Sequence, residues 1–315
     1  SPVGYVEQID KAEQEANQKY LAYVSAAAHS GRIKKVERMR QQLLDGIINS
    51  RNNVRGVPFY KGEKELRQSS IEYLDLLYLV FNEDYVKIVN IEEIAEQSFN
   101  EMQAYLLLQE KTSEKLNDAQ AKRNNATKKF AEKYNIKLLE EASVMGEKMK
   151  KAADVIKYRN EIYLLFFKCN WQWNEMNKAI QSSKVNDIEQ ARNAVMGYVD
   201  EGLASAGILK AFDGDASLVN ACKQILSRYR QMADKEVPGI TTFILASENF
   251  EKVKKSFEAK PERDRKKQDV DQYNKAVDEM NAGVNKFNAA NKNLINLWQK
   301  ADKDFSDGHT PYFRR

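Results

Sequence analysis

Apolar residues recur every three or four positions through most of the chain, the period of a helix that buries one face. Over residues 33–55, Val36, Met39, Leu43, Leu44, Ile47 and Ile48 share such a face. Over 63–81, Leu66, Ile71, Leu74, Leu77, Tyr78 and Phe81 do the same. Similar runs predict helices over 6–28, 138–182, 185–209, 242–257 and 268–305, and another that ends near Ala233. A long helix is expected to start at Asn90, capped with the help of Glu93 three residues on, and to run to about Tyr134. Ser30-Gly31, Gly56 with Pro58, and Pro238-Gly239 read as breaks. Pro261 punctuates a charged linker over 258–267, and residues 307–315 carry no periodicity. No alternating run bounded by hairpin residues competes with this pattern. The expected fold is all-α, an elongated body of long antiparallel helices.

The pattern repeats. Tyr60-x-Gly62-Glu63-x-x-Leu66-x-x-x-Ser70-x-x-x-Leu74 mirrors Phe212-x-Gly214-Asp215-x-x-Leu218-x-x-x-Cys222-x-x-x-Leu226, with Gly62 and Gly214 lying 152 residues apart. Upstream, the same offset pairs Val36-Glu37-x-x-Arg40 with Ile188-Glu189-x-x-Arg192. Each half reads as two antiparallel helices joined by an aromatic–x–Gly–acid turn. Glycine permits the positive φ such a turn needs, and the acid sits where the next helix dipole favours it. Two tandem duplicated helical-bundle units are expected, over 1–137 and 138–306, followed by an irregular C-terminal tail over 307–315.

Composition narrows the function. The 315 residues include 50 basic and 46 acidic side chains, a net charge of +4, too even for a chain built around a nucleic-acid surface. No run of 18 apolar residues occurs, so no membrane-spanning helix is expected. Two cysteines, Cys169 and Cys222, cannot make a disulfide framework, and each falls inside an apolar helical pattern. The chain starts at Ser1 rather than Met, which fits either a processed export product or a cut from a longer chain.

Catalytic and metal patterns fail residue by residue. The only histidines, His29 and His309, have Ala26 and Ser306 where a di-iron Glu-x-x-His pair needs glutamate. Asp213-Gly214-Asp215 lacks the twelve-residue calcium pattern, and its counterpart Lys61-Gly62-Glu63 puts a cation at the first ligand position. Nucleotide loops and nucleophile elbows are absent. No catalytic residue, metal site or cofactor is therefore expected.

Two groups remain as binding candidates. Ile162, Phe166, Cys169, Trp173 and Met176 step as a core seam, with Tyr163, Phe167 and Trp171 on the adjoining face. Trp171 and Trp173 read either as core or as the lining of a groove for a sugar ring or an apolar chain. The basic run that includes Lys254, Lys255, Arg263 and Arg265 is interspersed with Glu251, Glu258, Glu262 and Asp264. It reads either as a solvated linker or as a contact for acidic headgroups or glycans.

The blocks Phe59-Tyr60-Lys61-Gly62, Ile94-Ala95-Glu96-Gln97-Ser98-Phe99, Phe212-Asp213-Gly214-Asp215 and Glu248-Asn249-Phe250-Glu251-Lys252 resemble an uncharacterised family of exported helical surface lipoproteins of the Bacteroidetes and Leptospira type. The resemblance covers most of the chain and brings no assigned activity. It implies export to the cell envelope or outer-membrane surface of a Gram-negative bacterium, and membrane association through an upstream lipid anchor that this chain does not contain. The function expected is a non-enzymatic envelope protein that binds or scaffolds an unknown protein or glycan, with no nucleic-acid partner. A membrane-active helical bundle and an enzyme with an unrecognised site are the alternatives.

Overall fold

The computed structural model describes residues 1–29, 33–86, 95–138, 141–281 and 285–312. The fold is all-α. Helices α1 (Pro2–His29), α2 (Ile33–Gly56), α3 (Glu65–Leu79), α4 (Phe99–Lys133), α5 (Glu141–Gln181), α6 (Val185–Ile208), α7 (Ser217–Gln231), α8 (Val237–Ala259), α9 (Lys267–Met280) and α10 (Asn285–His309) follow one another. One turn of π-helix closes α3 at Val80–Asp84, and another closes α7 at Met232–Glu236. The expected stop at Ser30-Gly31 and the expected cap at Asn90 and Glu93 lie outside the described residues. The start of α4 is capped instead by Ser98, whose Oγ accepts from the Glu101 N–H at 3.2 Å.

The chain divides into two compact units, one made of Ser1–Asn160 with Asp304–Arg315, the other of Glu161–Lys303. The first unit buries Ile9, Leu43, Ile47, Leu66, Leu74 and Leu77 in one core. The second buries Ile162, Trp173, Met176, Ile188, Leu218 and Tyr229.

Both units use the same local geometry. Helices α2 and α6, α3 and α7, and the two π-turns have equal lengths and start 152 residues apart. The buried positions of α3 (Leu66, Ser70, Tyr73, Leu74, Leu77) each have a buried counterpart at that offset in Leu218, Cys222, Ile225, Leu226 and Tyr229. The turns before them match in backbone angles: φ is 49° at Lys61 and 79° at Gly62, against 48° at Asp213 and 84° at Gly214. Two successive positive φ values make a type I′ turn, closed by Glu63 N–H to Tyr60 O and by Asp215 N–H to Phe212 O, each 2.8 Å. The turn acids then serve the next helix, Glu63 accepting from Glu65 N–H at 3.0 Å and Asp215 from Ser217 N–H at 2.7 Å.

The remaining positive-φ residues, Asn135 and Ser183, sit just past the ends of α4 and α5. Ile136 N–H reaches back to Ala131 O at 2.8 Å, and Lys184 N–H to Ala179 O at 3.2 Å. These are Schellman closures, in which one left-handed residue turns the chain and satisfies the last carbonyls.

Three expectations need correction. Pro238-Gly239 does not break the chain: Pro238 occupies the first turn of α8, where its missing N–H has no intrahelical partner to lose. The last helix is two, because α9 ends at Met280 with Asn281 as its cap. The tail is not irregular from residue 307. Helix α10 runs to His309, and Thr310 N–H continues its ladder to Ser306 O at 2.9 Å. Burial holds this end in place: Ser306 and Thr310 are buried, Phe305 packs on Tyr158, and Tyr312 stacks on His29 with ring centres 3.8 Å apart.

Candidate functional site

Helices α4 and α5 run antiparallel in the first unit. Asn160 Nδ2 donates to Glu110 Oε1 at 3.3 Å at one end, and Gly146 lies against Asn124 at the other. Between these two contacts the helices enclose a groove of about 470 Å³. Its α4 wall carries Glu110, Ser113, Asn117, Gln120 and Asn124, which step by three and four and so form one stripe, with Glu114 and Asp118 beside it. Its α5 wall carries Lys150, Asp154 and Lys157 over a floor that includes Met149 and Ile156. Such a lining offers carboxamides, carboxylates and ammonium groups beside a broad apolar surface. It suits a polar ligand held by several hydrogen bonds and ion pairs. The sequence signal was the polar stripe of α4, a set of hydrogen-bonding side chains at core spacing. It is indistinguishable from a solvated helix face until α5 is laid against it.

Deeper in the same unit sits a buried ionic cluster that sequence periodicity also missed. Arg123 Nε donates to Glu13 Oε1 at 2.7 Å, and Nη2 donates to Glu13 Oε2 and to Asp10 Oδ1 at 3.2 Å each. The Ser70 hydroxyl donates to the same Glu13 carboxylate, and Arg123 Nη1 donates to Thr127 Oγ1. Burial alone would lower the Arg123 pKa, but the charge and hydrogen bonds of Glu13 overcome it and hold the guanidinium above its ordinary value. The cluster ties α1, α3 and α4 together, and every charge in it has a partner. A second buried arginine, Arg40, donates to Phe81 O at 2.8 Å in the first π-turn and pairs with Glu37 at 2.6 Å. Both arrangements join elements of the first unit to one another.

The sequence candidates fall elsewhere, in the second unit. Trp173 is fully buried and packs on Tyr229 with ring centres 5.3 Å apart. Trp171, on the adjoining face of α5, is half-buried. Phe166, on the same helix, stacks against Trp298 at 4.6 Å with rings 6° from parallel. Lys254 is half-buried and Lys255 exposed on α8. Arg265 closes the α8–α9 turn: Nε donates to Phe257 O at 3.2 Å and to Lys260 O at 3.1 Å, and the guanidinium lies 4.3 Å from the Phe257 ring centre. Arg263 is solvent-exposed beside Asp264, at 4.0 Å. Lys260 is paired with Asp269 at 2.7 Å, so the basic run is interwoven with its own acids. Arg265 Nε is thereby engaged by two backbone carbonyls.

Cys169 and Cys222 are free thiols, both fully buried, and burial pushes each up to about 12. Among the described residues no group of three or more histidine, cysteine, aspartate or glutamate side chains is placed to hold a metal. Among the same residues no helix is long and apolar enough to cross a membrane. The chain matches no family model, no curated protein and no solved structure at a significant level.

Proposed function

We propose that this chain is a non-enzymatic, exported helical scaffold of the Gram-negative cell envelope, which holds a protein or glycan partner in the groove between α4 and α5. The groove is the observation that carries the reading: about 470 Å³ of open space, walled by hydrogen-bonding and charged side chains of both signs. The buried ions support it indirectly, because Glu13, Arg123 and Arg40 are engaged within the protein and act as joints between helices. Envelope location and an upstream lipid anchor rest on the family resemblance. The recurrence of α2, α3 and the π-turn 152 residues later is read as a tandem duplication.

The test is a binding screen with the soluble chain at two salt concentrations, against envelope extracts and a glycan array. Each hit is repeated with Ala121→Trp, which places an indole in the groove from an exposed position. Saturable binding that Ala121→Trp abolishes supports the reading. Binding that survives the plug, at full strength, places the partner elsewhere and removes the groove from the argument.

A further inference from the structure

Four helix ends of the first unit meet at one pole. Helices α1 and α3 begin there, and α2 and α4 end there. Rings hold these ends together: Tyr5 stacks on Tyr60 at 5.8 Å, and Tyr60 and Phe130 lie against Tyr134 at 5.3 and 4.6 Å. Two stretches that form the pole, 55–67 and 129–137, carry seven basic side chains against Glu63, Glu65 and Glu132. That excess of four equals the net charge of the entire chain. Two of the carboxylates are engaged at the pole itself, Glu63 by Lys133 at 2.7 Å and Glu65 by Lys129 at 3.2 Å. Arg55, Lys61, Lys64 and Lys137 are exposed and make no ion pair among the described residues. Beside them stands an aromatic side chain that the core does not use. Phe59 is 45% exposed, with the Arg67 guanidinium 4.2 Å and the Lys64 ammonium 5.6 Å from its ring centre. Val3 and Leu138 are exposed in the same end segments of α1 and past α4.

The turn geometry requires none of this. At the 152-residue offset, Arg55, Lys61, Lys64 and Arg67 become Gly207, Asp213, Ala216 and Val219, and Phe59 becomes Ala211. The positive φ angles of the two turns nevertheless agree within 5°. The basic and aromatic side chains are an addition to the frame. We propose that this pole docks on an anionic lipid surface, with Arg55, Lys61 and Lys64 among the headgroups and the Phe59 ring at the boundary with the acyl chains. The interface lies apart from the α4–α5 groove and does not depend on it. Charge sets the sign of the partner, since a net positive patch is drawn to anionic headgroups. The exposed ring among cations sets its kind, because surfaces that rest on a bilayer combine lysine and arginine with an apolar side chain that sinks between headgroups. The cations also come from separate segments of the chain. A plane of mobile anionic headgroups meets all of them whatever their spacing, whereas a folded acidic protein must match each position.

The experiment is vesicle flotation of the full chain with phosphatidylcholine alone and with phosphatidylcholine mixed with phosphatidylglycerol, at low and high salt. The wild type is compared with Phe59→Ala, with the double variant Lys61→Asp, Lys64→Ala, and with Lys254→Ala, Lys255→Ala in the other basic run. The first two place in the turn the residues that the second unit already holds there, so the fold is expected to survive, and circular dichroism with urea unfolding checks each variant. Expected is flotation with the anionic vesicles only, weakened by salt. The double variant removes three units of charge and should lower vesicle affinity about a hundredfold, at about fivefold per unit. Phe59→Ala should lower it further in a manner that salt does not change, and Lys254→Ala, Lys255→Ala should leave it as it was. Absence of flotation with anionic vesicles, or flotation that the double variant leaves unchanged, overturns the proposal. So does loss through Lys254→Ala, Lys255→Ala instead, which would move the lipid contact to the second unit. Binding that heparin competes away and Phe59→Ala does not touch would make the pole a surface for soluble polyanions and would equally overturn the lipid reading.

Discussion

Arg123→Met removes the cation from the buried cluster of the first unit and leaves the Glu13 carboxylate with the Ser70 hydroxyl as its donor. Both side chains of the pair are nearly inaccessible, at 4% and 6% exposure, so water cannot replace the lost partner. Removing one member of a buried ion pair costs about 3–5 kcal/mol. The stranded carboxylate has an escape, which bounds the charge penalty: it can take up a proton. Protonating an ordinary glutamate at pH 7 costs about 3.7 kcal/mol, and that figure falls by about 1.4 kcal/mol for each unit the pH is lowered. The expected destabilisation is therefore about 3–4 kcal/mol at pH 7, shrinking markedly by pH 5. The double change Glu13→Leu, Arg123→Met removes both charges and should recover most of the loss, since apolar replacements of a buried pair are often near neutral. Urea unfolding followed by far-UV circular dichroism measures all three, with the slope checked for constancy. Tryptophan emission is a useful control, because Trp171, Trp173 and Trp298 all belong to the second unit. A loss below about 1 kcal/mol, or one that is the same at pH 5 and pH 7, would refute the claim that a stranded buried carboxylate dominates.

The other predictions concern the turns, the thiols and acid. Gly62→Ala and Gly214→Ala should each cost about 1 kcal/mol in thermal or urea unfolding, wholly from the positive φ, because an added Cβ meets nothing within 4 Å at either site; a cost near zero at both would mean the turns relax freely. Cys169 and Cys222 should resist a thiol reagent in native buffer and react stoichiometrically once unfolded, and rapid native labelling would contradict their burial and raised pKa. The Lys133 ammonium holds Glu63 below its ordinary 4.5, and Arg40 does the same for Glu37. A depressed carboxylate contributes stability that is present above the unfolded value and lost as pH falls through the folded one. Unfolding midpoints should accordingly drop below about pH 4.5, less steeply in Glu63→Gln, and an unchanged slope in that variant would rule the pair out.

The helical period made most of the fold legible. Val36, Met39, Leu43, Leu44 and Ile47 of α2, Leu66, Ile71, Leu74, Leu77 and Tyr78 of α3, and Phe81 of the π-turn face the core as their spacing requires, and the aromatic–x–Gly–acid motif marks both turns. What spacing could not supply was the effect of local chemistry at helix ends. Proline in the first turn of α8 looks in sequence like a break, because its cost depends on whether its N–H had a partner. Residues 307–309 look like tail, because the contacts that hold them, Tyr312 on His29 and Phe305 on Tyr158, come from residues far apart in sequence. The groove was missed for the same reason. A stripe of Ser113, Asn117, Gln120 and Asn124 has the polarity of a solvated face and the spacing of a buried one, and only α5 distinguishes the two.

Glu13 was missed for a reason that bears on the repeat itself. The buried stripe of α1 (Ile9, Glu13, Ala16, Tyr20, Tyr23, Ala26) matches that of α5 (Ile162, Phe166, Cys169, Trp173, Met176, Ala179), each pair 153 residues apart, one more than the offset of the following helices. The connection after α5 is thus one residue shorter than the connection after α1, and the Schellman closure at Ser183 shows how so short a turn is made. Within that register, Glu13 corresponds to Phe166 and Ser70 to Cys222. The first unit fills the position with a carboxylate, which then requires the hydroxyl and the guanidinium from α3 and α4; the second fills it with a ring, which requires only the flat face of Trp298. A frame that accepts both solutions is specified by its turns and its apolar stripe, with the polar cluster present in the first unit. That is why removing both charges of the cluster is expected to leave the first unit near its original stability, whereas removing one is expected to cost it about 3–4 kcal/mol.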